Sequence, residues 1–265
     1  MDFYTLFRLN KTVVNVGGLI KSAKYYLFNR NYITGVKRNS ELFARKKSDT
    51  CYVCALGPSL KQVDFSRIKG DTIVVNEFFR AGRENPDFVP TFYLMIDTVY
   101  KNVTREIQNF KDGISQYCGK ETVYLLNSKF EEMICNYNFK GNFYYLSCFK
   151  GLFNHKKEFR IDRVMPAFGN VACVAIACAI ALGYKKIFLL GCDFNSFASR
   201  SLDHCYGSED RVIKMSYELY CYSMVADMHD QLQAYAKKHG ITIINTTKGS
   251  LIDAYPYEID ESLYK

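Results

Sequence analysis

The sequence predicts an α/β domain with a mostly parallel sheet and helices on both of its faces. A lid follows one late strand, and a basic helical extension precedes the whole. Three observations point there. Short, continuous apolar runs recur along the chain, as in strands buried on both faces. The run GNVACVAIACAIALGY (169–184) is apolar almost all round yet too short to cross a bilayer, as befits a central helix laid on a sheet. Residues 213–246 read helix, glycine, strand, which is one α/β step.

In chain order, residues 1–49 form the extension. They hold ten Lys and Arg against three acidic residues, so +7 of the net +8 sits there. Aromatics are interleaved with these cations, and Arg8, Lys11, Lys21 and Lys24 interrupt any membrane-spanning run. The segment has no signal-peptide pattern. It fits either an extra helical layer on the domain or, over residues 1–48, a contact with an anionic membrane surface. RNSELFARKKSD (38–49) reads as a polar joint, and residues 50–265 form the main domain. Strands are expected in CYVCAL (51–56), DTIVVN (71–76), PTFYLMID (90–97), ETVYLLN (121–127), NFYYLS (142–147), KIFLLGCDF (186–194) and ITIINT (241–246). The segment from about 195 to 212 is polar, ends a strand and reads as a mobile lid. The last long helix, 212–240, carries an apolar stripe through Met215, Leu219, Met224 or Val225, Met228, Leu232 and Tyr235.

Composition narrows the function classes. An apolar fraction of 48% with 23% charged residues describes a globular protein rather than a disordered one. Because the positive charge is confined to one segment, a general nucleic-acid surface is not expected. Cys51 and Cys54 share C-x-x-C spacing, but strand alternation sends them to opposite faces. Most of the ten cysteines therefore read as buried, reduced hydrophobes, and the compartment as cytoplasmic. No P-loop, G-x-G-x-x-G or D-x-D sequence occurs, so neither a nucleoside-triphosphatase loop nor a dinucleotide site is indicated.

Candidate site residues follow from topology. In a Rossmann-like sheet, ligands gather beyond the carboxyl ends of the strands. Gly57-Pro58-Ser59, Asn76, Asp97 and Asp193 each terminate an apolar run. Gly57 lets backbone approach a phosphate or ribose, and Ser59 suits the cap of the next helix. Asn76 can hydrogen-bond a base or phosphate; Asp97 and Asp193 can hold a hydroxyl or a metal. Gly169 and Asn170 leave the start of the central helix open to an anion. Of four histidines, His239 reads as a helix-end charge, His229 as an exposed helix residue and His155 as part of a basic loop. His204 alone lies in the lid, where an imidazole can act as a base near neutral pH.

The stretches ALGPSLKQVDFSRI, VVNEFF and GNVACVAIACAIALGYKKIFLLGCDF resemble the bacterial sialyltransferases of glycosyltransferase family 42. With the closing HGITIINTTKGSLIDAYPYEI, the chain is also similar to the 6-hydroxymethylpterin pyrophosphokinase-like domain family of polysaccharide loci. The likeness spans about 50–260. It implies transfer of a nonulosonic acid from a CMP-sugar to a hydroxyl of a glycan or lipid-linked glycan during surface-glycan assembly. No cofactor is required, and Mg²⁺ is at most a stimulant. Gly57, Ser59 and Asn76 would contact the nucleotide, Gly169 and Asn170 its phosphate, and His204 would be the base. Leu56 stands where those enzymes have an asparagine, and Asn195 where they have a phosphate-binding tyrosine. Arg200 or Tyr206 is the expected substitute for that tyrosine. Two other classes remain: pyrophosphoryl transfer from ATP with Asp97 and Asp193 on Mg²⁺, and a nucleotide-binding protein without chemistry.

Overall fold

The computed structural model describes residues 35–97, 104–149, 158–166, 168–211 and 213–265, with six isolated positions before them. The extension before residue 35, apart from those six positions, and His155 thus lie outside the described residues. Strands β1 (Thr50–Cys54), β2 (Asp71–Val75), β3 (Phe92–Met95), β4 (Val123–Asn127) and β5 (Asn142–Leu146) come first. A short pair follows, β6 (Cys148–Phe149) and β7 (Met165–Pro166), then β8 (Lys186–Leu190). A hairpin of β9 (Ser201–His204) and β10 (Gly207–Asp210) precedes the last strand, β11 (Thr242–Asn245). The main sheet has seven strands in the order β11-β8-β1-β2-β3-β4-β5, and every pairing in it is parallel.

Period-two alternation sorts β1 cleanly. Cys51 and Val53 enter one core while Tyr52 and Cys54 enter the other, on the opposite face. The first face is covered by α4 (Val171–Ala181) and α5 (Met215–Lys238); the second by α1 (Phe78–Arg83), α2 (Thr104–Tyr117) and α3 (Glu131–Asn136). Every residue of α4 after Val171 is buried. Its Ala and Cys positions are short enough to seat the helix directly over β1 and β2 and against α5. Burying Val174, Ile176 and Ile180 there contributes about 1.5–3 kcal/mol apiece. All ten cysteines are free thiols and six of them are buried, as small hydrophobes are.

Two elements differ from expectation. Residues 38–49, read as a polar joint, largely belong to a 3-10 helix, Val36–Arg45, that packs on the edge strand β5. Leu42 is buried in the core, and Asn39 Nδ2 donates to the carbonyls of Tyr145 and Ile161, both at 3.0 Å. Charged residues lie on its outer side, which is why composition alone hid its inner face. In α5, the stripe proposed from Met215 onward begins late: Met215 is 42% and Leu219 46% exposed. The buried face is Val225, His229, Leu232, Tyr235 and Ala236. In the first turns the inward-facing residue is polar instead: Glu218 is buried, pairs with Arg211 and accepts from the Ser196 hydroxyl at 3.0 Å.

Candidate functional site

Neighbouring strands β1 and β8 connect in opposite directions across the sheet, the chain moving from β1 to β2 on one side and from β8 to β11 on the other. Their carboxyl ends therefore open a crevice, the usual ligand position in such sheets. A pocket of about 240 Å³ occupies it. Its walls bring together Gly57 and Pro58 after β1, Asn76 after β2, Asp193 and Asn195 after β8, Asn170 at the start of α4, and His204 on β9. Gly57 and His204, 147 positions apart in the chain, thus meet at one rim, as topology alone suggested.

Local chemistry explains each wall. Asp193 is 6% exposed and accepts two hydrogen bonds from Ser59, one from its backbone N–H at 3.0 Å and one from its hydroxyl at 2.7 Å. Burial pushes the Asp193 carboxyl above the usual range, and the Ser59 bonds pull the other way. This clamp ties the β1 exit to the β8 exit. It also revises two expectations. Ser59 does not cap a helix through its side chain; Gly57 is the residue that precedes the 3-10 turn Pro58–Gln62. Gly57 is a glycine because its own chain crowds it: a Cβ there would lie 2.0 Å from Asp193 Oδ2 and 2.7 Å from the Gly191 carbonyl oxygen.

Asn76 sits at φ +42°, a left-handed conformation that asparagine tolerates better than most residues. Its backbone carbonyl accepts from the Tyr93 hydroxyl at 2.6 Å, which fixes the turn. Its side-chain Oδ1 is buried and has no hydrogen-bond partner in the protein. A pocket-lining acceptor in that condition is suited to an N–H or O–H of a ligand. Asn170 caps α4, with Oδ1 accepting from the Ala172 N–H at 2.7 Å, and Val171 and Ala172 present the helix start to the pocket. The positive end of the helix dipole thereby faces the cavity. Gly169 does not: it is exposed outside the lining, and its N–H points to Met228 Sδ at 3.3 Å.

The segment expected to be a mobile loop is instead the β9–β10 hairpin, with His204 as the last residue of β9. Its turn is docked. The Cys205 N–H donates to the Leu56 carbonyl at 2.8 Å, and Cys205 is 2% exposed. At its root, Arg211 pairs with the Glu218 carboxylate and donates to the Ser199 carbonyl at 2.6 Å. His204 is partly buried, and that burial lowers its pKa from 6.5; Arg80 acts in the same direction, while Glu209, Glu77 and Asp203 oppose it. A neutral imidazole on the pocket wall is able to accept a proton.

Other expected residues fall elsewhere. Arg200 is exposed just before β9, and Tyr206 directs its hydroxyl to Glu77; neither lines the pocket. Asp97 is exposed beyond β3 and is not brought to the pocket with Asp193, so the carboxylate pair needed for a Mg²⁺–ATP reading is not assembled. Among the described residues no group of three or more His, Cys, Asp or Glu side chains is placed to hold a metal ion.

His229 is the clearest omission of the sequence reading. Far from exposed, it is 1% accessible, lines the pocket and has Nδ1 3.0 Å from the Tyr255 hydroxyl. Desolvation lowers its pKa to about 4. The spacing of Val225, His229, Leu232 and Ala236 on one helix face carried that information. Phe194 and Tyr222 also line the pocket, their rings 4.5 Å apart. Phe194 adopts φ +56°, strained for an aromatic residue.

No family model matches the chain, and no curated protein matches it. Several solved structures are similar in chain trace. One is the sialyltransferase CstII from Campylobacter jejuni in complex with the substrate analogue CMP-3FNeuAc, 17% identical, covering 82% of this chain and 88% of that one, with a TM-score of 0.45. A second is the sialyltransferase CST-II in complex with a trisaccharide acceptor and CMP, 18% identical, with coverage of 82% and 88% and a TM-score of 0.43. A third is the monofunctional alpha-2,3-sialyltransferase Cst-I from Campylobacter jejuni, 13% identical, with 83% of each chain covered and a TM-score of 0.44.

Proposed function

We propose that the chain is a glycosyltransferase that moves a nonulosonic acid from a CMP-sugar to a hydroxyl of a glycan acceptor. One observation carries the reading. A single pocket joins the Gly57-Pro58 bend, the unpartnered Asn76 acceptor, the open start of α4 and the His204 imidazole. The first three suit a nucleotide monophosphate, and the fourth supplies a base above it. Resemblance of the 55–68, 74–79 and 169–194 stretches to glycosyltransferase family 42 supports cytidylate as that nucleotide.

In this reading the acceptor oxygen attacks the anomeric carbon while the bond from that carbon to the phosphate oxygen breaks. CMP departs with the bonding electrons, and His204 Nδ1 or Nε2 takes the acceptor proton. Val171 and Ala172 at the head of α4 face the charge that grows on the departing phosphate, so the helix dipole stabilises it. Inversion at the sugar carbon follows from direct displacement. The enzyme works in the cytoplasm, peripheral on the inner membrane face, with its cationic extension toward anionic lipid and its acceptors on lipid-linked glycans.

The test is a thermal-shift panel of CMP, UDP, GDP and ATP, each with and without Mg²⁺, followed by CMP release from CMP-sugars. Selective stabilisation by CMP without metal, with turnover that falls at least about 100-fold in His204→Ala while CMP still binds, is the expected result. Stabilisation by ATP and Mg²⁺ alone, CMP binding without any transfer, or full turnover in His204→Ala each contradicts the reading.

A further inference from the structure

His204 does not stand alone on the hairpin. The Tyr206 ring lies against its imidazole, centroids 5.0 Å apart and planes within 18° of parallel. The Arg80 guanidinium also sits 4.8 Å from the Tyr206 ring centroid. The phenol thus has two close neighbours, an imidazole and a guanidinium. The guanidinium is itself held in place. Arg80 Nε is 3.1 Å from Glu77 Oε2, and its Nη1 is 3.9 Å from Glu209 Oε1 on β10. Glu77 in turn accepts from Asn109 Nδ2 of α2 at 2.8 Å and from the Tyr206 hydroxyl. The turn between His204 and Tyr206 is anchored by the Cys205 N–H on Leu56.

We infer that Tyr206 and Arg80 are positioning residues that hold the His204 ring at one orientation on the pocket wall. This rests on the reading of His204 as the base. The geometry explains why Tyr206 belongs to the hairpin even though its hydroxyl turns away from the cavity. A two-residue turn alone leaves the imidazole free to rotate about χ1 and χ2. The aromatic face removes that freedom and excludes water from one side of the ring. The Arg80 cation beside Tyr206 opposes a second positive charge nearby, whereas Glu77, Asp203 and Glu209 favour one. Burial and Arg80 prevail over the three carboxylates, so the ring stays neutral above its own lowered pKa.

Two readouts test this. The first needs no reaction: His204 ring protons are titrated by NMR in the full-length protein, with His204→Gln identifying the resonance. Wild type should titrate below 6.5, and Tyr206→Leu and Arg80→Met should each move the midpoint upward, toward about 6.5. The second is the pH profile of CMP-sugar turnover. Tyr206→Leu should lower kcat roughly 10-fold or more with KM for the donor unchanged, and move the acid limb upward. Tyr206→Phe, which keeps the ring and loses only the bond to Glu77, should restore most of kcat. An unmoved titration midpoint in both Tyr206→Leu and Arg80→Met overturns the inference, as does a Tyr206→Phe variant as impaired as Tyr206→Leu. A moved midpoint with no transfer from any CMP-sugar leaves the stacked assembly standing and removes the proposed reaction instead.

Discussion

Replacing Gly57 with alanine adds one methyl group at the most crowded point of the site. In the present structure that carbon would stand 2.0 Å from Asp193 Oδ2, where ordinary contact begins near 3.4 Å. Something must move by more than an ångström. The Gly191 carbonyl oxygen, 2.7 Å from the same position, closes the alternative direction. Asp193 therefore has to swing away and release the Ser59 N–H at 3.0 Å and the Ser59 hydroxyl at 2.7 Å. Hydrogen bonds to a charged acceptor contribute about 1.5–3 kcal/mol each, so the loss is about 3–6 kcal/mol. That is a large share of the roughly 5–15 kcal/mol that holds a domain together. Urea titration of Gly57→Ala should show a midpoint far below wild type, and CMP should no longer raise the melting temperature. Gly183→Ala is the control: its φ of +83° is strained for alanine, but a Cβ there meets nothing within 4 Å, so its cost should stay near 1 kcal/mol. If Gly57→Ala unfolds at the wild-type urea concentration, the clamp is not what holds β1 and β8 exits together.

The remaining predictions concern charge. His229 titrates near 4 when folded against 6.5 when free, so the unfolded chain takes up a proton first as pH falls. Its contribution is intact above 6.5, is withdrawn between 6.5 and 4, and amounts to roughly 3 kcal/mol over that window. Urea midpoints at pH 7, 5.5 and 4 should show this slope in wild type and a shallower one in His229→Gln; equal slopes would remove His229 as the cause. For the extension, wild type should co-sediment with vesicles containing phosphatidylserine at low salt and not with neutral vesicles. A chain lacking residues 1–34 should lose that binding while still responding to CMP, and equal sedimentation of both chains would place the contact elsewhere.

Much of this architecture is legible in the primary structure, for a physical reason. A strand covered on both faces must be apolar along its length, so each of the seven main strands announces itself as a run such as DTIVV or KIFLL. Their polar terminators could be assigned to one rim because parallel strands share a direction. What stayed hidden depended on partners remote in sequence. Ser59 reads as a helix cap because its true partner, Asp193, lies 134 positions away. His229 reads as surface because histidine is polar, and only the identity of the buried helix face, which Leu232 and Ala236 mark, places it inside. Tyr206 reads as a pocket hydroxyl because sequence shows that the residue is near His204 but not which way its ring turns.

The position of β1 in the middle of the sheet has a consequence during synthesis. Its partner on one side, β2, follows within seventeen residues of its end, whereas β8 begins only at Lys186, about 130 residues after Cys54. At about 5–20 residues per second, a ribosome needs roughly 7–26 s to make that stretch. Throughout that interval the most apolar edge of the nascent chain lacks its neighbour, and TCYVC is open to pairing with any other strand. Chaperone demand should therefore concentrate on the first two thirds of translation and end when KIFLL emerges.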